Sequence, residues 1–141
     1  ISGLHENGTV VSGNVFDSAY ASAVQLSYND APVISNNVFR TIRNTLTNNA
    51  SIALIDCDSA GVITGNKLND RNAENGIYLQ GCDARSNAPS TIANNMISRE
   101  DGRGIYFNGA YNQLTVYNNI YFWGSKTGNS GIASSTSQSG N

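Results

Sequence analysis

The chain has 141 residues, enough for one domain with a modest core, and no apolar run in it is long enough to cross a membrane as a helix. Charged residues make up 13% and the formal net charge is −2, which excludes the clustered Lys and Arg surface that tracks nucleic-acid phosphates. Polarity comes instead from Asn, Ser, Thr and Gly, and 14 Gly with two Pro describe an all-β chain of short strands broken by tight turns.

The first apolar stretch, Val11-Ser12-Gly13-Asn14-Val15-Phe16, returns as Ile34-Ser35-Asn36-Asn37-Val38-Phe39, Ile63-Thr64-Gly65-Asn66-Lys67-Leu68, Ile92-Ala93-Asn94-Asn95-Met96-Ile97 and Val116-Tyr117-Asn118-Asn119-Ile120-Tyr121. The Asn of this template falls at 14, 37, 66, 95 and 119, in steps of 23, 29, 29 and 24 residues that no helical heptad produces. A second series, Val24, Ile52, Ile77, Ile105 and Ile132, interleaves with the first, so each repeat holds at least two strands. The pattern predicts a solenoid of about five coils in which no coil buries its apolar face alone. Parallel strands are expected over 9–123, with Val11, Ile34, Ile63, Ile92 and Val116 stacked inside. Gly or Asn followed by Asn suits a sharp corner, because both tolerate the left-handed conformation, and stacked Asn amides can form a ladder. Five copies of one pattern argue against the rival, an ordinary sandwich with Asn-rich loops. The division expected is 1–123 as coils and 124–141, rich in Ser and Gly, as a last coil or a tail. Ile1 in place of Met predicts a boundary or processing site within a longer protein.

Gly76-Ile77-Tyr78-Leu79-Gln80-Gly81-Cys82 followed by Ile92-Ala93-Asn94-Asn95, and Gly104-Ile105-Tyr106-Phe107-Asn108 followed by Val116-Tyr117-Asn118-Asn119, resemble the repeat of carbohydrate-active parallel β-helix proteins. These include pectate-lyase-like enzymes, alginate epimerases and bacteriophage tailspikes. The resemblance covers residues 9 to about 123 and implies an all-β, right-handed, single-stranded parallel β-helix. It bears on fold more than on activity, because the matched positions are corners and core.

Strand alternation sends Ile52 and Leu54, Ile77 and Leu79, and Ile105 and Phe107 inward, and leaves Gln25, Ala53, Tyr78 and Tyr106, then Ser27, Ile55, Gln80 and Asn108, facing solvent. Tyr and carboxamides on a flat sheet suit a sugar, whose ring face lies on an aromatic while its hydroxyls find donors and acceptors. Exposed Tyr also simply favours strands. Six residues beyond the inward anchors stand Asp30, Asp58, Asp83 and Tyr111, so three acids are expected in one column with backbones roughly 4.8 Å apart. Asp58 and Asp83 would then be the acid and its partner in glycoside hydrolysis, with Asp30, Tyr78, Tyr106, Gln80 and Asn108 binding substrate. The rivals are a calcium site on the same column and plain turn capping by Asp.

His5 is the only His, and no Cys/His cluster has metal-ligand spacing, so no metal centre or other cofactor is expected apart from calcium. Neither the Asp-Pro-His signature of alginate epimerases nor a clear pectate-lyase constellation occurs. Arg71, Arg99 and Arg103 read as solvated turn residues near corners. Cys57 and Cys82 each lie five residues after an inward anchor and should stack on adjacent coils, bonded or packed as free thiols, with Asp56 and Asp58 disfavouring a reactive thiolate. The function expected is a domain of an extracellular or virion-surface protein that binds or cleaves a polysaccharide. Its alternatives are a secreted lyase or epimerase and a non-catalytic spacer. Open ends or a lateral apolar patch would favour a homo-oligomer.

Overall fold

The computed structural model describes residues 1–40, 49–70, 73–124 and 127–135, and in it the chain climbs through strands taken three at a time. β1 (Ser2–Leu4), β2 (Val10–Ser12) and β3 (Val15–Asp17) make the first rung, and β4 (Val24–Ser27), β5 (Val33–Ser35) and β6 (Val38–Arg40) the second. β7 (Ala50–Ile55), β8 (Val62–Thr64) and β9 (Lys67–Asp70) follow, then β10 (Asn75–Gln80), β11 (Ser90–Ala93) and β12 (Met96–Arg99). β13 (Arg103–Asn108), β14 (Gln113–Val116) and β15 (Asn119–Phe122) complete the fifth rung, and β16 (Ser130–Ser134), inside the Ser/Gly-rich stretch, opens another. Stacking gives one six-stranded sheet, β1-β4-β7-β10-β13-β16, and two five-stranded sheets, β2-β5-β8-β11-β14 and β3-β6-β9-β12-β15. Every pairing between these strands is parallel, and the described residues contain no helix. The fold is the expected parallel β-solenoid.

The core is built of stacked like residues. Val24, Ile52, Ile77 and Ile105 stack in one column, Leu26, Leu54, Leu79 and Phe107 in a second, and Phe16, Phe39, Leu68, Ile97 and Ile120 in a third. Phe16 and Phe39 stack with ring centroids 4.8 Å apart. Each fully buried aliphatic or Phe side chain contributes about 1.5–3 kcal/mol, and parallel stacking places its next apolar partner one rung away. Gly76 and Gly104 answer a close approach. A Cβ on Gly76 would lie 2.6 Å from the Gly104 carbonyl oxygen and 2.9 Å from Ile97 Cγ2, and one on Gly104 would meet Gly131 O and Ile120 Cγ2 at 2.6 Å. The glycine before each Ile-Tyr pair thus lets the six-stranded sheet pack on β12 and β15.

The Asn ladder is present, with its last member shifted by one residue. Ile92 pairs with Thr115 and Ala93 with Val116, so Thr115, and not Val116, continues the Val11-Ile34-Ile63-Ile92 column. Asn118, and not Asn119, therefore joins the ladder. The amide of Asn14 donates to Asn37 Oδ1 at 2.9 Å, Asn37 to Asn66 at 3.0 Å, Asn66 to Asn95 at 3.0 Å and Asn95 to Asn118 at 3.1 Å. Each Nδ2 of residues 37, 66, 95 and 118 also donates to a carbonyl of the rung before, from Val11, Ile34, Ile63 and Ile92. The residue ahead of each ladder Asn has positive φ: Gly13, Asn36, Gly65, Asn94 and, in the shifted copy, Tyr117 at 52°. A Tyr in a left-handed corner hid the true register from the template, which looked for Gly or Asn there.

Candidate functional site

The outward columns of the six-stranded sheet stand as the alternation predicts: Gln25, Ala53, Tyr78 and Tyr106 in one, Ser27, Ile55, Gln80 and Asn108 in the next. Their exposure differs from the expectation. Tyr78 is 2% exposed, packed with Ala50, Ala53 and Tyr106 in a second, outer apolar cluster. A Tyr ring covering alanines on the preceding rung buries itself as it buries them, so Tyr78 is a support and not an open platform. Its hydroxyl donates to Gln80 Oε1 at 2.8 Å and accepts from Asn108 Nδ2 at 2.9 Å, and Asn108 Oδ1 accepts from Ser135 Oγ at 3.0 Å. Tyr106 remains half-exposed, stacked on Tyr78 with centroids 5.6 Å apart. Arg103 Cζ lies 4.3 Å from its ring centre, and Arg103 Nη1 is 2.8 Å from Glu74 Oε1. Arg103 is thus a paired, stacked side chain of this face, not a solvated turn residue. Four of the residues singled out, Tyr78, Tyr106, Gln80 and Asn108, form one connected polar and aromatic patch.

The acids lie one corner further on. Asp30 and Asp58 stand in register through Ala31 N–H donating to Asp58 O, Asp83 is bridged to Tyr111, and all three acids are exposed. Asp58 Oδ1 accepts the amide of Asp83 at 3.2 Å, which caps one rung with a carboxylate from the rung before. Asp58 and Asp83 are therefore neighbours in the stack, while Tyr28, Asp56, Gly81 and Gly109, all of positive φ, turn the chain between them and the Tyr-bearing strands. No group of three or more His, Cys, Asp or Glu among the described residues is arranged to hold a metal ion, which leaves a calcium site on this column without geometric support.

Behind that corner runs a second inward ladder, Asn29, Cys57, Cys82 and Ala110, all buried, in which Cys57 and Cys82 stack on adjacent rungs as their spacing predicts. Its thiols repeat two of the Asn ladder's bonds. Cys57 Sγ donates to Leu26 O of the preceding rung at 3.3 Å, as Asn66 Nδ2 does to Ile34 O, and the Cys57 amide donates to Cys82 Sγ at 3.4 Å, as the Asn66 amide does to Asn95 Oδ1. Both thiols are free. A hydrogen bond from the Cys82 side chain, distinct from the amide contact, pulls the Cys57 thiol down to about 7; burial opposes it, backbone hydrogen bonds with Asn29 and Ile55 assist, and Asp56 opposes it least. Asp56 thus disfavours the thiolate, as expected from sequence, but is the smallest of these influences. The side-chain bond with Cys57, followed by burial, pushes Cys82 up, against the Cys57 amide that donates to its sulfur.

Arg99 overturns its reading as a solvated turn residue. Its side chain is fully buried, with Nη1 2.9 Å from Asp70 Oδ1, Nε donating to Asp101 O at 3.2 Å and Nη2 donating to Ala73 O. Ser51 Oγ donates to Asp70 Oδ2 at 2.5 Å. Burial pushes the Asp70 carboxyl above its usual range and Arg99 below its own, each against the attraction of the other. The pair closes the junction between β9, β12 and the six-stranded sheet, a structural duty that only its position Ile97-Ser98-Arg99, in phase with inward Ile97, could have signalled. Arg71 lies outside the described residues.

No curated protein and no solved structure matches the chain. One family model does, described as a right handed beta helix region, and it matches residues 1–141. With three parallel sheets wound as one solenoid and the family pattern running over the whole length, the chain belongs to the right-handed β-helix family.

Proposed function

We propose that this β-helix is a polysaccharide-binding module of an extracellular or virion-surface protein, with the glycan lying along the outer face of its six-stranded sheet. The observation that carries the reading is the patch on β10 and β13: two half-exposed carboxamides, Gln80 and Asn108, fixed in orientation by the Tyr78 hydroxyl beside half-exposed Tyr106. Carboxamides whose rotamers are already set lose little entropy on meeting sugar hydroxyls, and an aromatic edge beside them covers apolar ring carbons. Rigid strands rather than loops present the patch, which favours preorganised recognition.

Cleavage is the second reading, favoured by the adjacency of Asp58 and Asp83. Backbones one rung apart, about 4.8 Å, bring exposed carboxylates near the 5 Å separation of a retaining glycosidase. The test is a panel of acidic and neutral bacterial polysaccharides, read for binding and for new reducing ends. Tyr106→Ala and Asn108→Ala should each weaken binding about tenfold, about 1.4 kcal/mol, and equal affinity in both variants overturns the patch as the site. Asp58→Asn and Asp83→Asn should leave affinity intact; loss of reducing ends in them adds hydrolysis to binding, and no reducing ends from the parent protein confines the function to binding.

A further inference from the structure

The second ladder contains a feature that neither packing nor glycan binding requires. At one corner the inward column reads Asn29, Cys57, Cys82, Ala110. Ala110 shows that a methyl group suffices there, and Asn29 shows that an amide fits, donating to Ser27 O at 2.8 Å and accepting from Thr9 Oγ1 at 2.7 Å. Two thiols on consecutive rungs are required by neither. They follow paired residues, Ile55 opposite Gln80, and they point the same way, into the core. Stacked Cα atoms at about 4.8 Å lie within the 4.4–6.8 Å span that a disulfide tolerates. The amide of Cys57 already lies 3.4 Å from Cys82 Sγ.

We propose that Cys57 and Cys82 form a peroxide-responsive dithiol that closes into a disulfide between adjacent rungs, with Cys57 attacking and Cys82 resolving. The assignment of roles follows from position and is supported by ionisation. Both thiols are flanked alike, Cys57 by half-buried Asp56 and exposed Asp58 and Cys82 by half-buried Gly81 and exposed Asp83, and Cys82 is the more deeply buried of the two, 1% exposed against 3%. Cys57 also has its thiol pulled down to about 7 by the bond with Cys82, while Cys82 is pushed up; Asp56 is the other ionisable group acting on Cys57 and works against its ionisation. Burial of both sulfurs selects the oxidant: a hydroperoxide is little larger than water, whereas a tripeptide disulfide cannot reach them. The Cys57 thiolate attacks one oxygen of hydrogen peroxide, the O–O bond breaks, hydroxide leaves, and Cys57 becomes a sulfenic acid. Cys82 then attacks the Cys57 sulfur, its proton goes with the departing hydroxyl as water, and the S–S bond forms. Two thiols are oxidised and one peroxide is reduced to two waters. A cross-link closing a loop through the third rung also restrains the unfolded chain, so the oxidised protein should melt several degrees higher.

The experiment treats the folded chain with hydrogen peroxide at near-neutral pH and digests it with trypsin under non-reducing conditions. Cleavage after Lys67 separates the two cysteines, so the disulfide appears as a linked peptide pair that a reductant splits. Cys82→Ser should stop at a Cys57 sulfenic acid trapped by a cyclic dione, and Cys57→Ser should leave Cys82 at least tenfold slower to oxidise. Circular dichroism of each variant verifies its fold, and the parent cross-link needs no variant. Recovery of both cysteines as separate thiols after treatment, or equal oxidation of Cys82 in Cys57→Ser and of Cys57 in Cys82→Ser, overturns the proposal.

Discussion

Two corners of this solenoid solve one problem with different chemistry. At each, a residue of positive φ turns the chain and the next residue points inward to satisfy backbone groups of the rung before. The corner between β8 and β9 and its equivalents uses Asn at every rung, and each amide offers two donors and a strong acceptor. The corner after β7 and β10 uses thiols, which are weak donors and weak acceptors, and its sulfur contacts are correspondingly longer, 3.3–3.5 Å against 2.8–3.1 Å for the amides. The lesson is that corner geometry is set by backbone conformation and stacking, while the side chain placed there decides how strongly the corner is held and what else it can do.

The buried ion pair sets the upper end of what an inward polar group carries. Arg99→Ala leaves the Asp70 carboxylate buried without its partner and should destabilise the fold by about 4 kcal/mol in denaturant melts, more than any change at either corner. A smaller loss from Arg99→Ala than from Asn66→Ala would reverse the ranking. Because burial raises Asp70 in the folded chain, the fold takes up a proton there before the unfolded chain does. Stability should therefore gain as pH falls through that range, and Asp70→Asn should lack the gain in melts taken across mildly acidic pH.

Asn66→Ala, at the centre of the amide ladder, strands the amide of Asn37 and the carbonyl of Ile34 and should cost about 3 kcal/mol. Cys82→Ala replaces weak contacts with the residue already used at 110 and should cost about 1 kcal/mol. Equal losses at the two corners would break the contrast between amide and thiol. The shifted fifth copy gives a finer test. Asn118→Ala should cost about 1 kcal/mol, and Asn119→Ala, whose side chain is exposed, within about 0.5 kcal/mol; the opposite order would restore the register read from the repeat.

The smallest expected effect is a pH signature of the thiol corner alone. Cys57 ionises at lower pH in the fold than its usual 9.0, so its contribution to stability is present above that usual value and is lost as pH falls through about 7. Above the usual thiol range the raised Cys82 works in the other direction, because only the unfolded chain releases that proton. Melts across this interval should show a shallow rise and fall that Cys57→Ser flattens.

The sequence made the solenoid legible because like residues recur wherever side chains stack, as in Ile52, Ile77 and Ile105 or Asn37, Asn66 and Asn95. It misplaced the fifth copy because two adjacent Asn, 118 and 119, fit one template and only hydrogen bonding chooses between them. It also placed the candidate residues in the right columns, Tyr78 over Ala53 and Asp58 beside Asp83, yet could not show that Tyr78 is covered. Alternation reports which way a side chain points, and burial of an outward residue depends on its neighbours across rungs. Arg99 was misread for the converse reason: charge argues for solvent unless a partner, here Asp70, is known to face it.

The connection between the two five-stranded sheets always spans two residues: Gly13 and Asn14, Asn36 and Asn37, Gly65 and Asn66, Asn94 and Asn95, Tyr117 and Asn118. From the six-stranded sheet onward the spacing is free, with nine residues between β10 and β11 but four between β13 and β14. Length can thus be added to this chain without altering its pitch, provided it is added away from the Asn corner. The exposed bend at Ser86 and Asn87 is such a place, a natural port for grafting a foreign peptide, whereas one residue inserted between Gly65 and Asn66 would throw every amide above it out of line.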